Sequence, residues 1–298
     1  WLSGGIYVDI CFAFGIGYST FYSERGVLWP TIEALDGLLP LGFPVDDPVA
    51  IEELSRGFRE HSNGAMSGCV MAIDGLSVRT RQPYKSEVDN VTDYLSRKGG
   101  FAVLALAGCD VRGKFLMATA NFSGSTHDSI AWEMSGMKAA LDAGRLNEAY
   151  YFIGDDAFSC TNQMLTPWPG RGLGRWKDSF NYWLSHSRQS IERAFGMLVK
   201  RWGIFWRPFC FAQSRWSLVI MTCIKLHNVC IDNNVPLPER RHDDDQEDGD
   251  EFLVLDNNDP FMDQQLRWRA RGVRRVAMTN ALMDEGRGRP IHAMVQSR

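Results

Sequence analysis

Cys69-Val70-Met71-Ala72-Ile73-Asp74-Gly75 is the stretch on which the reading of this chain turns. Five apolar residues in a row, bounded by a carboxylate and a glycine, describe a strand buried on both faces. The pattern returns in Tyr150-Tyr151-Phe152-Ile153-Gly154-Asp155-Asp156. A third acid, Glu192, stands in Ser185-His186-Ser187-Arg188-Gln189-Ser190-Ile191-Glu192-Arg193-Ala194-Phe195-Gly196, a stretch of helical character. Two carboxylates at strand ends and one on a helix can converge and hold a pair of divalent cations. Such pairs sit roughly 3.5–4 Å apart and drive in-line attack at phosphorus. If Asp74, Asp155 and Glu192 meet, the chain cuts or joins nucleic acid.

Working outward, Val70–Val78, Phe101–Cys109 and Phe115–Asn121 read as an antiparallel set of strands. The polar, basic stretch Arg79–Gly100 lies between the first two as a loop. A helix follows from Asp128 to about Ala143, then a fourth strand at Tyr150–Gly154. A glycine-rich insertion, Trp168–Lys177, precedes a helix from Phe180 to about Trp202 and another over Ser214–Asn233. Three strands, a helix, a parallel fourth strand and then helices is the order of an α/β, ribonuclease-H-like mixed sheet flanked by helices. In that order the first and fourth strands are neighbours, so Asp74 and Asp155 lie side by side.

Upstream, the first forty residues read as helical, with Ser19 as an N-cap. Helix, glycine-containing turn and helix suit a helix-turn-helix or an ordinary helical hairpin equally well. Pro40, Pro44 and Pro48 mark a connector, and a polar helix runs from Val49 to about Asn63. The expected organisation is an N-terminal helical segment over 1–66, an endonuclease core over 67–235, and an acidic linker with a basic tail over 236–298. The chain starts at Trp1 rather than Met and is expected to be a piece of a longer protein.

Composition sets limits. With 45% hydrophobic and 12% aromatic residues among 298, a large core is within reach. The longest apolar stretches, such as 6–17 and 101–108, fall short of the roughly 20 residues of a spanning helix, so no membrane partner is expected. Seven scattered cysteines, an odd number, suit reduced thiols of a nuclear or cytoplasmic protein better than a disulfide framework. The net charge of −4 is unevenly spread. From Met71 to Ile231 there are 19 Lys and Arg against 13 Asp and Glu, a surplus of six, three of the acids being the candidate ligands. The acid gathers in Asp243–Glu251, and a basic segment follows at Arg267–Arg275. The tail is either a solvated linker with a surface helix or a basic arm for DNA phosphates.

Several residues carry two readings. Asp155 and Asp156 point to opposite faces of a strand, and Asp155, next to the apolar run, is the expected ligand. Asp128, in Gly124-Ser125-Thr126-His127-Asp128-Ser129, either caps a helix or stands at the edge of the metal site. Arg188 and Glu192 share a helix face, as an ordinary ion pair or as part of the site. Arg188, Lys200 and Arg201 are candidate DNA-phosphate contacts. Cys223, His227 and Cys230 could share a helical face, yet they lack the fourth ligand of structural zinc.

The motifs together resemble the PIF/Harbinger group of transposases, in the DDE endonuclease superfamily. The resemblance is carried by Ile73-Asp74-Gly75, Tyr94-Leu95-Ser96-Arg97-Lys98-Gly99, Ser123 through Ser129, Gly154-Asp155 with Phe158, Asn181 through Ser185 to Arg188, Glu192 through Gly196, and Leu226-His227-Asn228. They occur in the family's order over about residues 70–232. The resemblance implies that Asp74, Asp155 and Glu192 form the acidic triad with Asp128 close by, and that two Mg²⁺ or Mn²⁺ ions serve DNA cleavage and strand transfer. It also implies a nuclear location, a separate Myb-like DNA-binding partner and a homo-oligomer. The chain departs from the pattern at Leu76-Ser77, where the family often has Thr-His, and at Ser185, where related bacterial enzymes carry Tyr. The alternative is a retired transposase core kept as a DNA- or protein-binding scaffold.

Overall fold

The computed structural model describes residues 1–97, 99–238 and 273–290. A five-stranded mixed sheet forms its centre, built from β1 (Cys69–Arg79), β2 (Ala102–Cys109), β3 (Phe115–Ser123), β4 (Tyr151–Ile153) and β5 (Met164–Leu165) in the order β3-β2-β1-β4-β5. The first three strands are an antiparallel meander; β4 joins β1 in parallel and β5 joins β4 in parallel. The expected α/β, ribonuclease-H-like order of strands is the observed one. β1 is the middle strand, which accounts for its near-continuous burial.

Alternation along the strands divides the interior into two cores. Ala72, Leu76, Ala105, Ala107 and Ile153 face one core; Ile73, Leu104, Leu106 and Phe152 face the other. Helix α3 (Leu28–Leu38), the long α7 (Arg175–Arg201) and α8 (Trp216–Asp232) fill the first core through Ile32, Leu184, Ile191, Phe195, Val219 and Ile224. The short helices α5 (Asp128–Glu133) and α6 (Gly136–Asp142) cover the second with Trp132 and Leu141. Helix α4 (Pro48–His61) gives Phe58 to one core and Ile51 to the other. It starts cleanly, with Asp47 accepting from the amides of Val49 and Ala50 and proline at the first turn.

The structure departs from the sequence reading in several places. The single helix expected over Asp128–Ala143 is two, because Ser135 accepts from the Lys138 amide at 3.1 Å and restarts the backbone as a cap. Ser19 lies inside the short α2 (Tyr18–Tyr22), whose N-cap is Gly17. The preceding α1 (Tyr7–Phe14) buries no residue. α7 begins at Arg175, within the expected insertion, and the two-residue β5 went unread. Trp29 and Ile32 of the N-terminal segment share a core with α7 and α8. In the tail, α9 (Val273–Asp284) packs on α7 by one face, with Arg275, Thr279 and Leu282 buried. Arg275 donates to the carbonyls of Thr166 and Pro167, so this basic residue is committed to the fold. The acidic run Asp243–Glu251 and the basic residues 267–271 lie outside the described residues.

Helix α8 is fastened to the sheet by its polar residues. His227 donates to the Gly113 carbonyl at 3.0 Å, and among the described residues it belongs to no group of three potential metal ligands. Asn228 accepts from the Phe115 amide at 2.8 Å and donates to the Phe115 carbonyl at 2.7 Å, taking the place of a neighbouring strand. Asn228→Ala would leave both groups buried and unpaired. A loss of about 2–4 kcal/mol in urea denaturation is expected, given roughly 1–3 kcal/mol for each orphaned group; a loss below about 1 kcal/mol would show that this clip is not what holds α8.

Candidate active site

The alternation of β1 turns Asp74 toward α7, on the face of Ala72 and Leu76. Asp74 is 0% exposed. Its Oδ1 accepts from the Gly75 amide at 2.8 Å, and its Oδ2 accepts from Arg188 Nη1 at 2.7 Å. The other nitrogen of the Arg188 fork, Nη2, donates to Glu192 Oε1 one helical turn further along. One guanidinium thus bridges the strand carboxylate and the helix carboxylate. Arg188 is 15% exposed and Glu192 33%, so the cluster opens to solvent on the Glu192 side.

Asp155 comes from the neighbouring strand. Ala72 pairs with Ile153, and two residues further on Asp74 and Asp155 follow in the same direction. Asp155 is buried while Asp156 is exposed, so the strand delivers the first of the pair inward. Its Oδ1 accepts from the Ala157 amide at 3.0 Å. Its Oδ2 is buried and, among the described residues, has no hydrogen-bond partner.

Asp128 approaches from the other side. Gly75 pairs with Leu106 and shares its face, toward α5. A Cβ on Gly75 would sit 2.3 Å from Asp128 Oδ1, so the absence of a side chain is what admits this carboxylate against the strand. The N-cap of α5 is His127, and Asp128 is the acid of the helix's first turn. Asp128 lies beside Asp74 in charge but across β1 from Arg188. At its own edge, His127 Nε2 meets Arg97 Nη2 of the long loop between β1 and β2. The Gly75–Asp128 contact and the Arg97–His127 contact were not read from spacing, although the family motifs contain all four residues.

The other predicted phosphate contacts divide. Lys200 is exposed at the end of α7. Arg201 is buried and donates to the carbonyls of Val235 and Pro236, at 3.0 and 3.3 Å, away from the acids. Arg188 is held by acids.

Burial pushes the Asp74 carboxyl up to about 7; Arg188 pulls it down, and Asp128 and Glu192 push it further up. Burial likewise raises Asp155 to about 7, reinforced by Asp74 and opposed by Arg188. The fold therefore holds like charges together that water would separate. As they stand, no three His, Cys, Asp or Glu side chains among the described residues are gathered at metal-ligand distance. Arg188 lies between Asp74 and Glu192 instead.

The description of a DDE superfamily endonuclease matches residues 73–228, from the residue before Asp74 to Asn228 and just over half of the chain. The chain belongs to this family. A mouse (Mus musculus) protein named "Putative nuclease HARBI1" is 24% identical over 198 residues, 65% of this chain and 54% of its own length. Its human (Homo sapiens) counterpart is 23% identical over the same shares. An Arabidopsis thaliana protein named "Protein ALP1-like" is 26% identical over 201 residues, 62% of this chain and 48% of its own length. The chain thus spans about half the length of these curated relatives. No solved structure matches it. By family, its lineage is that of a DDE-type nuclease.

Raised carboxyl pKa values mean that the folded chain keeps protons which the unfolded chain has released. Their contribution to stability is complete below about pH 4 and is lost as pH rises through about 7. In the absence of divalent cations, melting temperature should fall between pH 5 and pH 8. Asp155→Asn should flatten that fall by removing one repelling carboxylate; a variant profile parallel to the parent's would contradict the charge assignment.

Proposed function

We propose that this chain is a divalent-metal-dependent DNA endonuclease and strand transferase of transposase origin, acting through Asp74, Asp155 and Glu192. The observation that carries the reading is the convergence of Asp74 and Asp155 from parallel strands onto the face where α7 presents Glu192. The donor set fits a hard cation: all the donors are carboxylate oxygens, and one, Asp155 Oδ2, is buried without a partner among the described residues. Asp74 and Asp155 would hold Mg²⁺ or Mn²⁺, with Glu192 completing the set; Asp128 adds negative potential from the opposite face of β1. When bound, a pair of such ions supplies an activated attacking oxygen and stabilises the oxygen that leaves phosphorus.

The protein's own part is electrostatic and positional. Arg188 compensates Asp74 and ties down Glu192. Its planar fork is equally suited to phosphate oxygens, so an Arg188 released from the acids is placed to receive the DNA backbone. Gly75 keeps the strand slim enough for Asp128 to approach, and the Gly75 amide and Ala157 amide fix the carboxylate planes. A nuclear location, a Myb-like DNA-binding partner and a homo-oligomer belong to the same proposal and rest on the motif resemblance.

Nicking of supercoiled plasmid in Mn²⁺ tests it, with the Myb-like partner added. Asp74→Asn, Asp155→Asn and Glu192→Gln should each lower the rate about 100-fold or more, as expected for several kcal/mol of transition-state stabilisation. Asp156→Asn should retain most of it. Mn²⁺ should also raise the melting temperature of the parent chain through linkage and leave that of Asp74→Asn nearly unchanged. A parent chain that binds DNA and Mn²⁺ yet never nicks would be the retired scaffold instead.

A further inference from the structure

Between Asp156 and Asp178 the chain contains no acidic residue, while Arg171, Arg175 and Lys177 crowd into seven positions. These three cations lie on the loop between β5 and α7 and on the first turn of α7, and all are exposed. Among the described residues none of them meets a carboxylate: Asp178, the acid of that turn, is engaged by Arg289 at 3.4 Å. The loop tip stands clear of the body. Gly170 and Gly172 have φ of +98° and +64°, and a Cβ on either, or on Gly174, would touch nothing within 4 Å.

The root of the loop, by contrast, is firmly held. Trp168 exchanges backbone hydrogen bonds with the Asn181 side chain and donates its indole N–H to Thr279 at 3.0 Å. The Lys177 ammonium lies 4.5 Å from the centre of the Trp168 ring, and the Arg175 guanidinium lies 4.8 Å from that of Trp176. Cations resting on aromatic faces are oriented without being neutralised. A body-anchored, unneutralised set of cations on a glycine-rich tip has the chemistry of a polyanion-binding surface.

Its place in the fold selects the polyanion. Lys177 and Arg188 are eleven residues apart on α7, three helical turns, so both lie on one stripe and about 17 Å apart along the axis. A B-form duplex advances about 3.4 Å per base pair, so this distance is about five base pairs. Resting on the nuclease reading for the identity of the polymer, we propose that Arg171, Arg175 and Lys177 form a second DNA contact. They grip backbone phosphates about five base pairs from the bond presented to the acids. The contact reads no sequence and sets the direction in which the duplex leaves the site.

The test is duplex binding by the full chain, followed by fluorescence anisotropy from 50 to 200 mM salt in EDTA, so that cleavage plays no part. For the triple variant Arg171→Gln, Arg175→Gln, Lys177→Gln, the slope of log K against log salt should drop by up to about 2.7, at roughly 0.9 per lost contact. Affinity should fall more than tenfold at the low-salt end. Arg171→Lys with Arg175→Lys should preserve the slope, and unchanged melting temperatures show that the fold is intact. A control with three charges removed elsewhere, Arg56→Gln, Arg59→Gln and Lys138→Gln, should leave binding unaltered. An unchanged slope in the triple variant, an equal loss in the control, or a parent chain that binds no duplex overturns the proposal. A chain that nicks DNA but keeps its slope in the triple variant overturns this surface alone. A chain that shows the slope loss but never nicks overturns only the nuclease reading.

Discussion

The fork of Arg188, donating to Asp74 on one side and Glu192 on the other, is the contact on which the architecture depends. A carboxylate in the middle of a central strand, with 0% exposure, is costly to bury without compensation. The guanidinium supplies that compensation from α7 and so fixes how the helix lies across the sheet. With Arg188 held over β1, Ile191, Ala194, Phe195 and Leu198 fall into the core that the sheet shares with α8. Lysine could not serve in its place, because a point charge lacks the two-pronged geometry that spans both acids. The same contact holds Asp74 and Glu192 apart on the two prongs of one guanidinium.

Much of this was legible in the amino acids because strong local patterns coincide with the parts that matter. The apolar run before Asp74 could only be an inner strand, and the run before Asp155 could only be its neighbour once the strand order was known. The period of α7 put Arg188 and Glu192 on one face. Features set by tertiary contact stayed hidden. β5 is two residues long, too short for any periodicity, and owes its existence to the edge of β4. Ser135 broke the α5–α6 helix through a cap that competes with helical continuation, a choice that spacing alone does not reveal. Arg275 looked like an exposed cation and is instead a buried donor to two carbonyls, because α9 has α7 to pack against. Gly75 was noted only as the glycine after Asp74, yet its role is to leave room for a carboxylate arriving from another element.

Charge follows the same division between pattern and packing. The positive surplus of the central region does not surround the acids evenly. Arg188 and Arg201 are spent on internal partners, whereas Arg171, Arg175 and Lys177 remain outward at the start of the helix that carries Glu192. One long helix therefore links the acidic centre to a basic shoulder, with a rigid span between them. On the proposed reading, in which the substrate is a stiff polyanion, a rigid span is a ruler. In the proposed function the acids, crowded and buried, would take cations, and the shoulder would take phosphate.

The central proposal is that Asp74, Asp155 and Glu192 form a single cation site, with Arg188 giving up its hold on Glu192 when the ion binds. The most direct measurement is anomalous scattering from Mn²⁺ in crystals of the chain grown with and without the ion. The account predicts an anomalous peak in contact with Asp74 and Asp155 Oδ2, with Glu192 freed from the guanidinium of Arg188. A peak remote from these residues, or Arg188 still bridging Asp74 and Glu192 at saturating Mn²⁺, would contradict it.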